Sequence, residues 1–163
     1  MEEKEVKIRY SIYHTVDELS KEEQLLLEKA KISTKSAYAP YSGFNVGAAI
    51  LLENGIIVTG NNQENAAYPS GLCAERVAMF AASSHYPNVP MKIIAITAFS
   101  ERFDVNFPIS PCGSCRQVMS EYETKQIQPM KVILMGTKGD IHIIEKIADL
   151  LPFMFHADEL KQK

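Results

Sequence analysis

Residues 44–60 read FNVGAAILLENGIIVTG and predict how the fold begins. Positions 44–52 are rich in small and branched apolar residues, a composition typical of a buried strand. Asn54-Gly55 is a common β-hairpin turn, so residues 56–60 are predicted to return antiparallel beside the first strand. The stretch therefore predicts a two-stranded start to a β-sheet.

Helical and strand patterns alternate on both sides of this hairpin. Before it, Leu26, Ala30 and Ala37 keep helical spacing within residues 22–38 and predict a first helix. After it, the pattern predicts helices at residues 73–85, 112–122 and 146–151 and strands at 92–99, 131–135 and 141–144. This order predicts an α/β fold with one mixed sheet of about five strands and helices on both faces.

Size, composition and charge narrow the classes of function. A chain of 163 residues that is 46% hydrophobic can bury one core, so we expect a single domain over residues 1–163. Within it, residues 1–20 are an N-terminal extension and the core covers about 21–156. The net charge of -3 provides no basic patch for nucleic acid or an acidic membrane surface, which favours a small ligand.

Targeting signals are not evident in the sequence. No apolar run reaches the roughly 20 residues needed to span a bilayer. The first ten residues, MEEKEVKIRY, lack the basic and apolar regions of a signal peptide. We therefore expect a cytoplasmic protein with no membrane partner.

The three cysteines predict a metal or redox site. Cys73 stands alone, whereas Cys112 and Cys115 form a C-x-x-C pattern directly after a proline. Cys73 and Cys112 each fall at the predicted start of a helix, where free N–H groups and the helix dipole favour the thiolate. Three thiolates leave one position open on a tetrahedral zinc ion, which is the arrangement of a catalytic zinc site. A histidine or carboxylate as fourth ligand would instead close the site.

Two charged residues follow Cys73 and suit a catalytic reading. Glu75 is two residues further on, where a carboxylate can take and return protons for a water activated by the metal. Arg76 can donate hydrogen bonds to cysteine sulfurs and reduce the negative charge of the metal site. The ordinary alternative for this pair is a solvated helix face.

Several stretches together resemble a known family. Cys73-Ala74-Glu75 and residues 111–115, PCGSC, resemble the signature of zinc-dependent deaminases. The similarity extends to residues 41–49, 62–68, 110–118 and 150–152, and covers roughly residues 38–155. Over this length the chain resembles the small, homotetrameric cytidine deaminases.

That resemblance implies a three-layer α/β/α deaminase fold and a reaction. The reaction is hydrolysis of cytidine and deoxycytidine to uridine and deoxyuridine with release of ammonia, in pyrimidine salvage. Cys73, Cys112 and Cys115 would bind one Zn2+ per subunit, and Glu75 would be the catalytic proton carrier.

The resemblance also implies which residues bind the nucleoside. Asn62 and Glu64 match the family pair that hydrogen-bonds the ribose, and Phe44 would pack against the base. The backbone at Ala74 would approach the base carbonyl. In a homotetramer a neighbouring subunit completes each pocket, which would place three more residues near another chain's ligand: Ala66, Tyr68 and Phe155.

Other readings are open at this point. The cysteines can be a buried hydrophobe plus a structural zinc or redox pair, with the chain a catalytically silent interaction domain. Zinc hydrolysis can also act on another cytosine-bearing substrate. Asn61 and Gln63 are polar where many relatives have a cysteine and an apolar residue. The N-terminal extension and the loop at residues 99–109 carry no functional prediction.

Overall fold

A computed structural model describes residues 1–156, so the end of the predicted domain, residues 157–163, lies outside the described residues. Within residues 1–156 no helix is both long and apolar enough to cross a membrane. The strands are β1 (Ser11–Tyr13), β2 (Phe44–Leu52), β3 (Ile57–Asn61), β4 (Met91–Ser100), β5 (Lys131–Met135) and β6 (Ile141–Ile144). The α-helices are α1 (Lys21–Ser33), α2 (Ala74–His85) and α3 (Gly113–Gln126).

The strands form one mixed sheet with the order β1-β6-β5-β4-β2-β3. β2 and β3 form the predicted antiparallel hairpin, and Gly55 has a φ of 82° in its turn. β4 and β5 are parallel because α3 carries the chain back across the sheet between them. The predicted mixed sheet is confirmed.

Alternating side chains of the central strands supply two cores. In β2, Ala48, Ile50 and Leu52 pack on the face that α2 and α3 cover, whereas Ala49 and Leu51 pack on the face that α1 covers. All five side chains are at most 4% exposed. Because the strand is covered on both faces, it is apolar without alternation from Val46 to Leu52. This confirms the predicted three-layer α/β/α architecture.

Two glycines let helices approach the sheet closely. A Cβ built on Gly60 of β3 would lie 2.5 Å from Ala78 N and 2.6 Å from Ala74 O, both in α2. A Cβ on Gly47 of β2 would lie 2.1 Å from Ala30 O in α1. Glycine at position 60 therefore fixes how closely the first turn of α2, directly after Cys73, lies against the sheet.

Three predictions about the elements need correction. The sheet has six strands rather than about five, because Ser11–Tyr13 pairs antiparallel with β6. That strand has only three residues and follows a charged stretch, so it has no strand signature of its own. The first helix ends at Ser33 and gives way to a 3-10 turn at Thr34–Ser36 instead of continuing to residue 38. The last predicted helix is a single 3-10 turn, Ile147–Asp149, ahead of Pro152.

Glu23 connects the start of α1 to the sheet through an ion pair. Ser20 caps the helix, and its Oγ and backbone N donate to the Glu23 carboxylate at 2.8 and 3.0 Å. Lys131 of β5 donates from Nζ to Glu23 Oε1 at 3.0 Å. Partial burial alone would raise the pKa of Glu23, but the hydrogen bonds from Lys131 and Ser20 outweigh it and lower the pKa below its usual 4.5.

Replacing Glu23 with Gln is expected to lower the free energy of unfolding by about 1 kcal/mol at about pH 7. The folded-state pKa of Glu23 is depressed, so its contribution is present above the usual 4.5 and is lost as the pH falls through the folded value. The difference in unfolding free energy between wild type and Glu23→Gln should therefore shrink between about pH 7 and about pH 3. Urea denaturation at both pH values measures it.

Glu22→Gln is the matched control for this prediction. The Glu22 pair with Lys92 is longer, at 3.7 Å, and more exposed. Glu22→Gln should lower the free energy of unfolding by less than about 0.5 kcal/mol at either pH. Equal effects of the two variants would show that the Glu23 ion pair has no particular role.

Candidate active site

Two helix starts bring the cysteines together. Cys73 is the N-cap residue of α2 and Cys112 is the N-cap residue of α3, each with an extended backbone conformation. Cys115 follows in the first turn of α3 and is fully buried. The predicted placement of Cys73 and Cys112 at helix starts is confirmed. Both thiols consequently lie where backbone N–H groups and the helix dipole stabilise negative charge.

The three sulfurs have the spacing that a tetrahedral metal requires. Cys73 Sγ is 3.9 Å from Cys112 Sγ, and Cys112 Sγ is 3.5 Å from Cys115 Sγ. All three lie within 4.8 Å of one another. Sulfurs bound to one zinc ion at about 2.3 Å are about 3.8 Å apart. The cysteines thus fit a zinc ion as a three-sulfur set.

Charge is unevenly distributed in the sulfur cluster. Hydrogen bonding from Cys115, together with Arg76 and Cys112, lowers the pKa of Cys73 to about 5. Hydrogen bonding to Cys73 and burial raise the pKa of Cys115. These opposite shifts favour the thiolate at Cys73 and the thiol at Cys115.

Arg76 lies beside this thiolate. Its Nη2 is 3.8 Å from Cys73 Sγ and donates to the carbonyl oxygen of Gly71 at 3.3 Å. Its Nε is buried without a hydrogen-bond partner within residues 1–156. A guanidinium with an unused donor, in contact with a cysteine sulfur, suits a site that gains negative charge.

Glu75 is a buried carboxyl group next to the sulfurs. It is only 4% exposed, in the first turn of α2. Burial raises the pKa of Glu75 above its usual range, and the charge of Cys73 adds to the rise. Such a buried acid beside a thiolate is not the solvated helix face that an isolated Glu-Arg pair would suggest.

A pocket of about 710 Å³ opens beside the cluster. Eight of the twelve predicted site residues line it. They are Phe44, Asn62, Glu64, Tyr68, Cys73, Glu75, Arg76 and Cys112. The pocket is therefore large enough for a nucleoside and lies between the sulfurs and the predicted sugar-binding residues.

Asn62 and Glu64 differ in which hydrogen-bonding groups of their side chains remain available to a ligand. Asn62 Oδ1 accepts from Val46 N at 2.7 Å, and Nδ2 donates to Phe44 O at 2.9 Å, so the amide joins β3 to the start of β2. One N–H of Asn62 is then left for a ligand. Asn62 thus also positions Phe44 through its backbone.

Glu64 is held as a carboxylate. Ser42 Oγ donates to Oε1, and Tyr41 N donates to Oε2 at 2.9 Å. Burial acts to raise the pKa of Glu64, but these hydrogen bonds, with the charge of Arg102, lower it. An ionised Glu64 can accept hydrogen bonds from sugar hydroxyl groups.

The other four predicted residues lie outside the pocket lining. Cys115 and Ala74 are fully buried, whereas Ala66 is exposed. Phe155 is 68% exposed, and its backbone N and O are hydrogen-bonded to the Gln117 side chain at 3.2 and 3.0 Å. Within residues 1–156 the Phe155 ring does not reach the pocket.

Sequence reasoning missed several residues of the site. Ser42 orients Glu64, and its only signal is a short polar residue after Pro40-Tyr41. The polar replacements at 61 and 63 bind each other, with Gln63 Nε2 donating to Asn61 Oδ1. Seven further lining residues carry no predicted role: Tyr41, Val46, Asn65, Gly71, Leu72, Ile109 and Ser110.

A three-layer α/β/α fold with three cysteines, a buried glutamate and a nucleoside-sized pocket defines the class of zinc-dependent deaminases. The family model described as the cytidine and deoxycytidylate deaminase zinc-binding region matches residues 20–131. The chain belongs to the cytidine and deoxycytidylate deaminase family.

Individual relatives agree with this assignment. The chain is 42% identical to cytidine deaminase from Sporosarcina psychrophila, over 83% of this chain and 92% of that protein. It is 39% identical to cytidine deaminase from Halalkalibacterium halodurans, over 84% of this chain and 96% of that protein. The crystal structure of cytidine deaminase from Burkholderia pseudomallei has a TM-score of 0.70 and 39% identity, covering 80% of this chain and 97% of that one.

Proposed function

We propose that this protein hydrolyses cytidine and deoxycytidine to uridine and deoxyuridine with release of ammonia, as a zinc-dependent enzyme of pyrimidine salvage. The observation that carries the proposal is the meeting of three cysteine sulfurs, buried Glu75 and a pocket of about 710 Å³ at the starts of two helices. The relatives named cytidine deaminase support the choice of substrate.

Cys73, Cys112 and Cys115 would hold one Zn2+ per chain in this proposal. Zinc bound there would act as a Lewis acid that activates water at neutral pH. Arg76 contacts Cys73 and offsets the negative charge of the three thiolates. The chain's own contribution at this point is to fix the ligand geometry and the local charge.

Glu75 moves the protons of the reaction. It accepts a proton from the attacking water as the new C–O bond forms, and delivers it to the ring nitrogen of the base. Glu75 then takes the proton of the newly added hydroxyl group and delivers it to the amino group, so that the C–O bond becomes a carbonyl as the C–N bond breaks and ammonia leaves. The burial of Glu75 excludes bulk water, which would otherwise exchange these protons.

The remaining residues bind the nucleoside. Glu64, held by Ser42 and Tyr41, accepts hydrogen bonds from the sugar, and the free N–H of Asn62 donates to it. Phe44 packs against the base. The backbone at Ala74, in the first turn of α2, approaches the base carbonyl.

A homotetramer completes each pocket in this proposal. Ala66 and Phe155 are exposed and lie outside this chain's own pocket, which leaves them accessible to a neighbouring subunit's ligand. Tyr68 is also exposed, but it lines this chain's own pocket. The proposal further places the protein in the cytoplasm, as a single domain with no nucleic acid or membrane partner.

An ultraviolet assay of turnover on metal-quantified protein tests the proposal. We expect about one zinc per chain and deamination of both cytidine and deoxycytidine. Free cytosine is the control substrate, because it lacks the sugar that Glu64 and Asn62 bind, and should react far more slowly. Zinc-loaded protein that leaves both nucleosides unchanged would contradict the function.

A further inference from the structure

The loop at residues 101–107, which follows β4, is built into the fold rather than detached from it. Val105 is fully buried, and its carbonyl oxygen accepts from Thr137 N at 2.8 Å. A Cβ on Gly136 would lie 2.2 Å from that same oxygen, so glycine is needed for the loop to lie this close to the end of β5. Asp104 also pairs with Lys138 at 2.8 Å, although both side chains are exposed. The backbone contacts of Val105 therefore fix the position of the loop and of the side chains on its opposite side.

On that other side the loop places an aromatic ring against Phe44. β2 and β4 remain paired up to Phe44 and Ser100, after which the chain turns back. Phe103 then stacks on Phe44 with ring centroids 6.0 Å apart and planes inclined by 14°. Phe44 lines the pocket, whereas Phe103 does not. Phe103 therefore supports the Phe44 ring from outside the pocket.

The preceding residue makes a second contact with the same segment. Gly43 has a φ of 62°, and a Cβ there would lie 2.9 Å from Arg102 Nε, so Arg102 covers this turn. Its charge also acts on Glu64. Arg102 and Phe103 thus hold the segment 41–44, which carries both Phe44 and the N–H groups that orient Glu64.

We propose that Phe103 is a positioning residue that holds the Phe44 ring against the pyrimidine base and thereby sets the affinity for the nucleoside. This inference rests on the proposed function. A stacked aromatic pair contributes about 0.5–1.5 kcal/mol beyond the area that it buries. Loss of the support reduces binding of the base in the ground state and the transition state alike, so KM rises while kcat is retained.

The test compares Phe103→Ala, Phe103→Tyr and Phe107→Ala with wild type. Phe103→Ala should raise the KM for cytidine about five- to tenfold and change kcat less than about twofold. Phe103→Tyr keeps the ring and should restore KM to within about twofold of wild type. Phe107 is a control from the same loop, 60% exposed and outside the pocket lining, so Phe107→Ala should leave KM unchanged.

Calorimetric binding of uridine to the same proteins separates this inference from the proposed reaction. Protein that binds uridine but does not deaminate cytidine refutes the reaction, and the uridine affinities of the variants still report on Phe103. An unchanged KM and uridine affinity in Phe103→Ala overturn the inference. A similar rise in KM for Phe107→Ala also overturns it, because the loop as a whole would then be responsible. Phe103 is 52% exposed, so its removal leaves no cavity in the core.

Discussion

Glu75→Gln is expected to lower kcat for cytidine by about 10²–10⁴-fold while zinc content stays at about one per chain. Glutamine preserves the shape of the side chain but cannot accept and return a proton. Glu75 is 4% exposed, so bulk water has little access to replace it as proton carrier. Steady-state kinetics with zinc quantification on the same sample measures both effects.

An exposed glutamate provides the control for this result. Glu28 lies on the outer side of α1, and Glu28→Gln makes the same chemical change away from the pocket. Its kcat should match wild type. A Glu75→Gln protein that keeps its zinc and more than about a tenth of wild-type kcat would show that another group transfers the protons.

Cys112→Ser is expected to release most of the zinc and to lower turnover by at least about 10³-fold. Serine is a poor zinc ligand, and two thiolates hold the metal less tightly than three. Cys112 is exposed, whereas Cys115 is fully buried, so the change at Cys112 leaves the core intact. Metal analysis after dialysis, followed by the turnover assay, measures the loss.

Ser114→Ala is the neighbouring control, since Ser114 is an exposed residue between the two cysteines of α3. It should keep both zinc and activity. Full zinc occupancy in Cys112→Ser would instead indicate that Cys112 is not a ligand, and the three-sulfur site would have to be abandoned.

The sequence predicted the layers of the fold because the apolar runs are continuous. Residues 44–52, 131–135 and 141–144 were predicted as strands with the bounds that the structure has. The positions of Cys73 and Cys112 at helix starts followed from the turn residues before them. A buried run between clear turns leaves few alternatives, so such elements can be located without tertiary information.

The elements and contacts that the sequence did not predict depend on tertiary contacts. β1 is a strand only because β6 lies beside it, and the helix predicted at 146–151 contracts to one turn before Pro152. Nothing in the sequence indicates that the amide of Asn62 binds the backbone of β2. The contact between Phe103 and Phe44 joins residues far apart in the chain, which no local pattern encodes. The roles of the twelve site residues stay predictions until they are measured.

β1 also determines how the sheet meets other chains. It pairs along β6 from Ile141 to Ile143 and so occupies backbone groups that would otherwise form an open edge on an apolar, branched strand. Such an edge is a template for intermolecular strand pairing and aggregation. With β1 in place, the edge of the sheet is no longer β6 but a strand of three residues, Ser11–Tyr13, which follows a charged stretch. The N-terminal extension therefore leaves the backbone of β6 from Ile141 to Ile143 closed to strand pairing with another chain.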